Sequence, residues 1–398
     1  MKPAATMNQP KGEAQFGLNA RKVARARKLD LLLQLSIGRF VQSRLPQPPL
    51  ASLEPHTILL LYPQLIGDVA IVTGFLRGLR RRYPNASVTV VGQRFLHDLL
   101  VKQGLYDSFV EFRCPWRAFD YSPRNLMAML RVARDVRRQG WDLAIELRGD
   151  LRNIAFLKAT GARYRVAPVI TGGAYLLTHP LRPSTELRHL ADSQRLVLEA
   201  LGGTIQLPRL EVQTAERDWA NSVVGKIAGT RRAVAIHPGT SRESKYWFPE
   251  RFAQLAETIE ARFAAAPILV LGPGDTALGE SIVAKSQTRL HTVKPSLRQL
   301  PALLQRCDLL IGLDSASAHI SGAVGTPCVV LFGPSDPLLA RPLGSLSSIV
   351  IKDGFPCRPC GLGSCPLGTD RSCMAAISVE DVLVEIESFL APSGAHDV

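Results

Sequence analysis

From His56 onward, short unbroken apolar runs alternate with longer stretches whose apolar residues recur at helical spacing. "HTILLLYP" is followed by "GDVAIVTGFLRGLRRRYP", where Val69, Val72, Phe75, Leu76 and Leu79 fall on one helical face. "SVTVVG", "FLHDLLVKQG", "SFVEF", "RNLMAMLRVARDVRRQG" and "WDLAIEL" continue the series. An apolar run with no polar alternation reads as a strand buried on both faces, as in a parallel sheet covered by helices. The pattern pauses over 203–230 and then restarts. "AVAIHPG", "PERFAQLAETIEARF", "PILVLG", "SLRQLPALLQRC", "DLLIGLD", "SASAHISGAVG" and "PCVVLFG" form a second series. The expectation is an α/β chain of two Rossmann-like domains facing a cleft, with a hinge near 205–230. The parts are a basic arm with a linker (1–50), a first domain (51–215) and a second (216–398). A length of 398 residues fits two domains.

The arm is set apart by charge. Residues 1–50 carry nine Lys/Arg against Glu13 and Asp30, +7 of a net +14. Residues 19–45 combine Leu31, Leu32, Leu35, Phe40 and Val41 with basic side chains, and "PQPPLASLEP" follows as a linker. This suits an interfacial helix on an anionic membrane surface, or a tail helix packed on the body. Little aromatic interleaving argues against nucleic acid. No apolar run approaches the ~20 residues of a membrane span, and the N-terminus lacks the apolar core of a secretory signal. A cytoplasmic protein, peripheral on the inner membrane, is expected. Of seven cysteines, Cys114, Cys307 and Cys328 are scattered and read as buried thiols. Cys357, Cys360, Cys365 and Cys373 cluster with enough thiolates for zinc, although the second pair lacks the close spacing of zinc ribbons.

Ligands of open α/β sheets bind beyond the carboxyl ends of strands. Glycine, hydroxyl and carboxylate recur there: Ile66-Gly67-Asp68, then His237-Pro-Gly-Thr240-Ser241 with Lys245, then Pro273-Gly274-Asp275. Asp314-Ser315-Ala-Ser317-Ala-His319 follows "LLIGL". A helix that starts at Ser315 or Ser317 presents unpaired N–H groups to a phosphate, and alanines let the ligand come close. His319, four residues after Ser315, lies on the same face. Thr240 and Lys245 offer a second anion contact, so that a diphosphate would use both. The bland alternatives are helix caps at Asp314 and Asp68, a satisfied structural His319 and a solvated Lys245.

Taken in order, "IGDVAIVTGFLRGLRRRYPNASVTVV", "WDLAIELRGDLRN", "AIHPGTSRESKYWFPERFAQLAE", "LVLGPGD" and "DSASAHISGAVGTPCVVLFGPSDP" resemble glycosyltransferase family 9. These are the heptosyltransferases and relatives that build lipopolysaccharide core. The match runs from about Thr57 to Val384. The resemblance implies a GT-B fold, an inverting mechanism and no metal or other cofactor. It implies a nucleotide-sugar donor, ADP-heptose in the best-known members, and a lipopolysaccharide-type or other cell-surface glycan acceptor. By position it makes Asp68 the general base, Thr240 and Lys245 diphosphate contacts, and Asp275 an acidic residue near the ribose. Asp314 and His319 fall in the donor-binding motif, with Ser241 and Ser315 beside these positions. Tyr62-Pro-Gln64, Thr73-Gly74 and the stretch before Cys373 depart from the family pattern. Two other functions remain open: a nucleotide-sugar 2-epimerase on the same fold, and a non-catalytic nucleotide-sugar-binding module.

Overall fold

A computed structural model describes residues 27–28, 30–32, 34, 47–118, 120–183, 188–344, 346–368 and 371–390. Most of the helix expected over 19–45 lies outside these residues. A fragment of it, Arg27–Leu32, is helical at its described positions. Asp30 accepts from the Gly173 N–H at 2.7 Å, and Arg27 donates to the Ile170 carbonyl at 3.2 Å.

The first half runs β1 (Thr57–Tyr62), α1 (Ile66–Arg82), β2 (Ser87–Gly92), α2 (Arg94–Leu100), β3 (Ser108–Glu111) and α3 (Pro115–Ala118). It continues with α4 (Pro123–Arg138), β4 (Leu143–Glu146), α5 (Leu151–Ala159), β5 (Tyr164–Pro168), β6 (His179–Leu181) and α6 (Asp192–Ala200). The second half runs α7 (Thr214–Ala228), β7 (Ala233–His237), α8 (Pro249–Phe263), β8 (Ala266–Val270), α9 (Thr276–Lys285) and β9 (His291–Val293). It closes with α10 (Gln299–Arg306), β10 (Leu309–Leu313), α11 (Ala316–Val324), β11 (Cys328–Phe332), α12 (Pro337–Ala340), β12 (Ser347–Ile351), α13 (Ser372–Ala375) and α14 (Val379–Leu390).

The two sheets are ordered β3-β2-β1-β4-β5-β6 and β12-β11-β10-β7-β8-β9. All their strand pairs are parallel. Counted within its own half, each sheet has the same Rossmann order, and the chain reverses direction across it between β1 and β4, and between β7 and β10. The unbroken apolar runs become these central strands: Ile58 to Leu61 and Leu309 to Ile311 are fully buried.

The segment expected as a hinge is shorter than 205–230, because Thr214–Ala228 folds as α7. Ala220, Val224 and Ala228 are buried at four-residue spacing, a helical stripe in a stretch otherwise polar. The chain between α6 and α7 threads past α1. The Gln206 N–H donates to the Gly74 carbonyl, and the Arg209 N–H donates to the Thr73 hydroxyl at 3.0 Å. A side chain at Gly74 would meet the Gln206 carbonyl oxygen at 2.2 Å, so that crossing requires glycine. One buried cluster joins the halves, with Val69 and Leu76 on one side and Ala318 and Ile320 on the other. Among the described residues no helix is long and apolar enough to cross a membrane.

Candidate active site

The first turns of α1 and α11 meet where the carboxyl edges of the two sheets face each other. A Cβ on Gly67 would lie 2.9 Å from the His319 ring and 3.4 Å from the Ala316 backbone. That contact sets Asp68, at the switch point of the first sheet, beside the switch point of the second. The Asp68 carboxylate accepts from the Leu65 N–H at 3.3 Å, as an acid in a helix first turn does. Its carbonyl accepts from the Tyr62 hydroxyl at 3.0 Å, and Gln194 donates to that hydroxyl at 3.3 Å. Tyr62, one of the departures from the family pattern, is thus a buried anchor for the backbone of Asp68. Among the described residues Asp68 forms no ion pair, and its carboxylate is half-buried.

On the second half, Asp314 and Lys245 form a buried ion pair at 2.5 Å, with side-chain exposures of 9% and 13%. Burial alone would raise the Asp314 pKa. The Lys245 charge and hydrogen bonds from Lys245 and Ser335 outweigh it and hold the carboxyl below its ordinary value. Lys245 is therefore not the solvated lysine of the bland reading. Ser315 is the N-cap residue of α11, but its side chain caps nothing; its hydroxyl lies 2.9 Å from that of Ser317. The first-turn N–H groups of α11 consequently keep no side-chain cap.

His319 is 7% exposed, and its Nδ1 has no hydrogen-bond partner. Burial lowers its pKa, against the pull of Asp314 and Asp68, so the ring is neutral at pH 7. The Thr240 hydroxyl is likewise buried without a partner, while its carbonyl accepts from Tyr246 at 3.0 Å. Buried polar atoms nearly always have partners, so two orphans at the same carboxyl edge mark a place built for a polar ligand. Ser241, next to Thr240, is exposed. Asp275 turns inward: it accepts from the Gly272 N–H at 2.8 Å and fills the space a side chain at Gly239 would take. Its charge raises the pKa of His237, although burial dominates and the net shift is downward.

Sequence reasoning missed two groups, His189 and Glu146. His189 is 9% exposed, donates from Nε2 to the Arg341 carbonyl at 3.0 Å and accepts at Nδ1 from the Ala191 N–H. It ties the two halves together; the Asp68 charge pulls its pKa up, and its own charge pushes that of His319 down. Ser335 donates to Asp314. Glu146, at the end of β4, is wholly buried and accepts from the Gly149 N–H and from Asn153. Burial pushes its pKa up to about 7. No local pattern marks His189 or Glu146, because their surroundings come from distant segments.

The cysteine segment packs beside this edge. Cys357, Cys360, Cys365 and Cys373 line one small cavity with Ser244 and Pro334. Ser244 donates to the Leu362 carbonyl at 2.6 Å, and Arg242 donates to Gly361 at 3.0 Å. All four thiols are free, and among the described residues no group of three His, Cys, Asp or Glu side chains is arranged to hold a metal ion. The segment also braces the 242–244 loop through these two hydrogen bonds.

A model of glycosyltransferase family 9 (heptosyltransferase) matches residues 129–369. The chain belongs to glycosyltransferase family 9. Among family 9 relatives, lipooligosaccharide heptosyltransferase 2 of Haemophilus influenzae is 24% identical over 311 residues, 74% of this chain and 88% of its own length. Lipopolysaccharide heptosyltransferase 2 of Salmonella typhimurium is 23% identical over 355 residues, 85% and 99% of the two chains. A solved family 9 structure from Veillonella parvula superposes with a TM-score of 0.72 at 22% identity, covering 84% of this chain and 97% of that one. The E. coli ADP-heptose lps heptosyltransferase II follows at 0.68 and 19% identity, covering 84% and 98%. The shared fold is GT-B, two Rossmann-like domains about a cleft.

Proposed function

We propose that this chain is an inverting, metal-independent glycosyltransferase that moves heptose from ADP-heptose to a lipopolysaccharide-type or other cell-surface glycan. Residues 51–215 bind the acceptor and 216–398 the donor, at the cytoplasmic face of a membrane. The observation that carries the reading is the contact of Gly67 with His319, which brings a carboxylate free of ion pairs up to a polar, donor-rich helix terminus. The relatives named above act as heptosyltransferases, and that supports the sugar and the donor.

In this reading the acceptor hydroxyl gives its proton to Asp68 as its oxygen attacks the anomeric carbon. The bond from that carbon to the diphosphate breaks on the opposite face, which inverts the centre. The departing diphosphate gains charge, met by the first-turn N–H groups of α11, by Lys245 and by the Thr240 hydroxyl. The neutral His319 donates or accepts a hydrogen bond through its free Nδ1. Ser241, Ser315 and Asp275 line the donor side, and Asp275 acts by shaping the Gly239 loop.

Incubation with a panel of nucleotide sugars, with and without glycan acceptors, tests the proposal. Thermal stabilisation by ADP-heptose and release of ADP only with acceptor are expected. Turnover of the nucleotide sugar alone to an epimer points instead to an epimerase, and binding without either reaction to a non-catalytic module.

A further inference from the structure

The face of α4 turned to solvent is not what a soluble enzyme needs. Ser122 caps this helix by accepting from the Asn125 N–H, and Pro123 opens it. Ala133 and Val136 are buried, with Met129 and Val132 packed beside them against the first-half core. That accounts for one face. The adjoining face exposes Leu126, Met127 and Leu130, the last two by 52% and 56%, with Tyr121 exposed just before the helix. Spacings of three and four put Leu126, Met127 and Leu130 in one patch.

Arginines rim it. The helix holds Arg124, Arg131, Arg134, Arg137 and Arg138 against a single acid, Asp135. Arg134 and Arg138 both reach Asp135, at 3.5 and 3.8 Å, through exposed and weakly held contacts. Arg124 and Arg131, which flank the apolar patch, are exposed.

The placement has a direction. A crossover helix runs antiparallel to its strands, so the start of α4 lies at the carboxyl edge of the first sheet. Leu126, Met127 and Leu130 all sit in its first half. The same edge carries a second apolar pair: Leu31 and Leu32 are exposed on the fragment pinned to the loop after β5 by Asp30 and Arg27. Apolar side chains rimmed by cations fit a lipid surface with anionic headgroups. A second copy of the same face would bring arginines against arginines, which disfavours a self-paired interface.

We propose that α4 docks this chain on an anionic bilayer, with Leu126, Met127 and Leu130 entering the interface and Arg124 and Arg131 meeting headgroup phosphates. Docking turns the carboxyl edge of the first half toward the membrane. The proposal does not depend on which sugar is transferred.

Sedimentation of the full chain with vesicles of phosphatidylcholine, with and without phosphatidylglycerol, tests it. Binding is expected only with phosphatidylglycerol and should weaken with salt. The variant Leu126→Gln/Met127→Gln/Leu130→Gln should partition about tenfold less or lower, with an unchanged melting temperature. Arg124→Gln/Arg131→Gln provides a second reading if the first variant folds poorly, and should lose the salt-sensitive part of binding. Equal partition of these variants and the wild type overturns the proposal. So does a wild type that ignores anionic vesicles, or an apolar-face variant that loses self-association and keeps vesicle binding.

Discussion

The two halves share one strand order, yet their carboxyl edges are furnished differently. The second carries a paired lysine and aspartate, an uncapped helix terminus, an inward-turned Asp275, a half-buried His237 and a buried His319. The first offers the half-buried carboxylate of Asp68, while Asp150 is paired with Arg152 and the buried Glu146 is occupied in holding the Gly149 turn and Asn153. One backbone plan thus carries a polar, pre-organised edge on the second half and a sparser one on the first. Function lives in the loops after the strands, not in the fold.

The widest expected gap between the halves comes from Lys245→Met. It leaves Asp314 charged and buried without its partner and should cost about 3 kcal/mol of unfolding free energy. Donor affinity should fall with it. Lys245→Met/Asp314→Leu should recover much of the stability, because an apolar pair needs no counter-charge, and should not recover donor binding. Chemical denaturation and donor titration on the same samples check this. If donor affinity returns in the double variant, the pair serves the fold alone.

A smaller effect separates the halves by pH. In the second half His237 and His319 have pKa values lowered by burial, so the stability they give is present above about 6.5 and is lost as pH falls through their folded values. Glu146 works the other way: raised to about 7, its contribution is present at low pH and is lost as pH rises through that value. Glu146→Gln removes only the second trend. Its stability should therefore climb more steeply than the wild type's between about pH 4.5 and 7, by up to ~1.4 kcal/mol per pH unit. Parallel curves would show that Glu146 does not titrate there.

The smallest effect belongs to the seam between the halves. Gly67→Ala places a methyl 2.9 Å from the buried His319 ring and 3.4 Å from the Ala316 backbone, so the ring or the helix start must shift. About 1 kcal/mol of stability should be lost, with a larger proportional loss in transfer rate, since Asp68 moves with its helix. An unchanged rate would detach the seam from catalysis.

Much of the fold is legible in the sequence, and the limits have physical causes. Central strands are buried on both faces, so "ILLLY" and "LLIGL" announce themselves. The edge strands β6, β9 and β12 do not: they are short, partly exposed and, in β6, interrupted by Pro180. The helix α7 hides in a polar stretch that reads as a hinge. Asp68, Thr240, Lys245, Asp314 and His319 stand out because glycine, hydroxyl and charge at strand ends form a local pattern. Which of them pair is not local. Lys245 and Asp314 are far apart in sequence, and only the parallel packing of β7 beside β10 brings their loops together. His189 stays hidden for the same reason.

The central claim is that Asp68 takes the acceptor's proton. Asp68→Asn separates this from the helix-terminal role, because asparagine keeps an oxygen for the Leu65 N–H and forfeits only the charge's interaction with the helix dipole, about 0.3–1 kcal/mol, but cannot act as the base. The decisive measurement is the transfer rate of Asp68→Asn at saturating ADP-heptose and acceptor, with the melting temperature taken on the same samples. We expect a loss of roughly 10²–10⁴-fold with donor affinity and melting temperature nearly unchanged. Transfer within a few-fold of the wild type would mean that Asp68 only stabilises the start of α1 and that another group takes the proton.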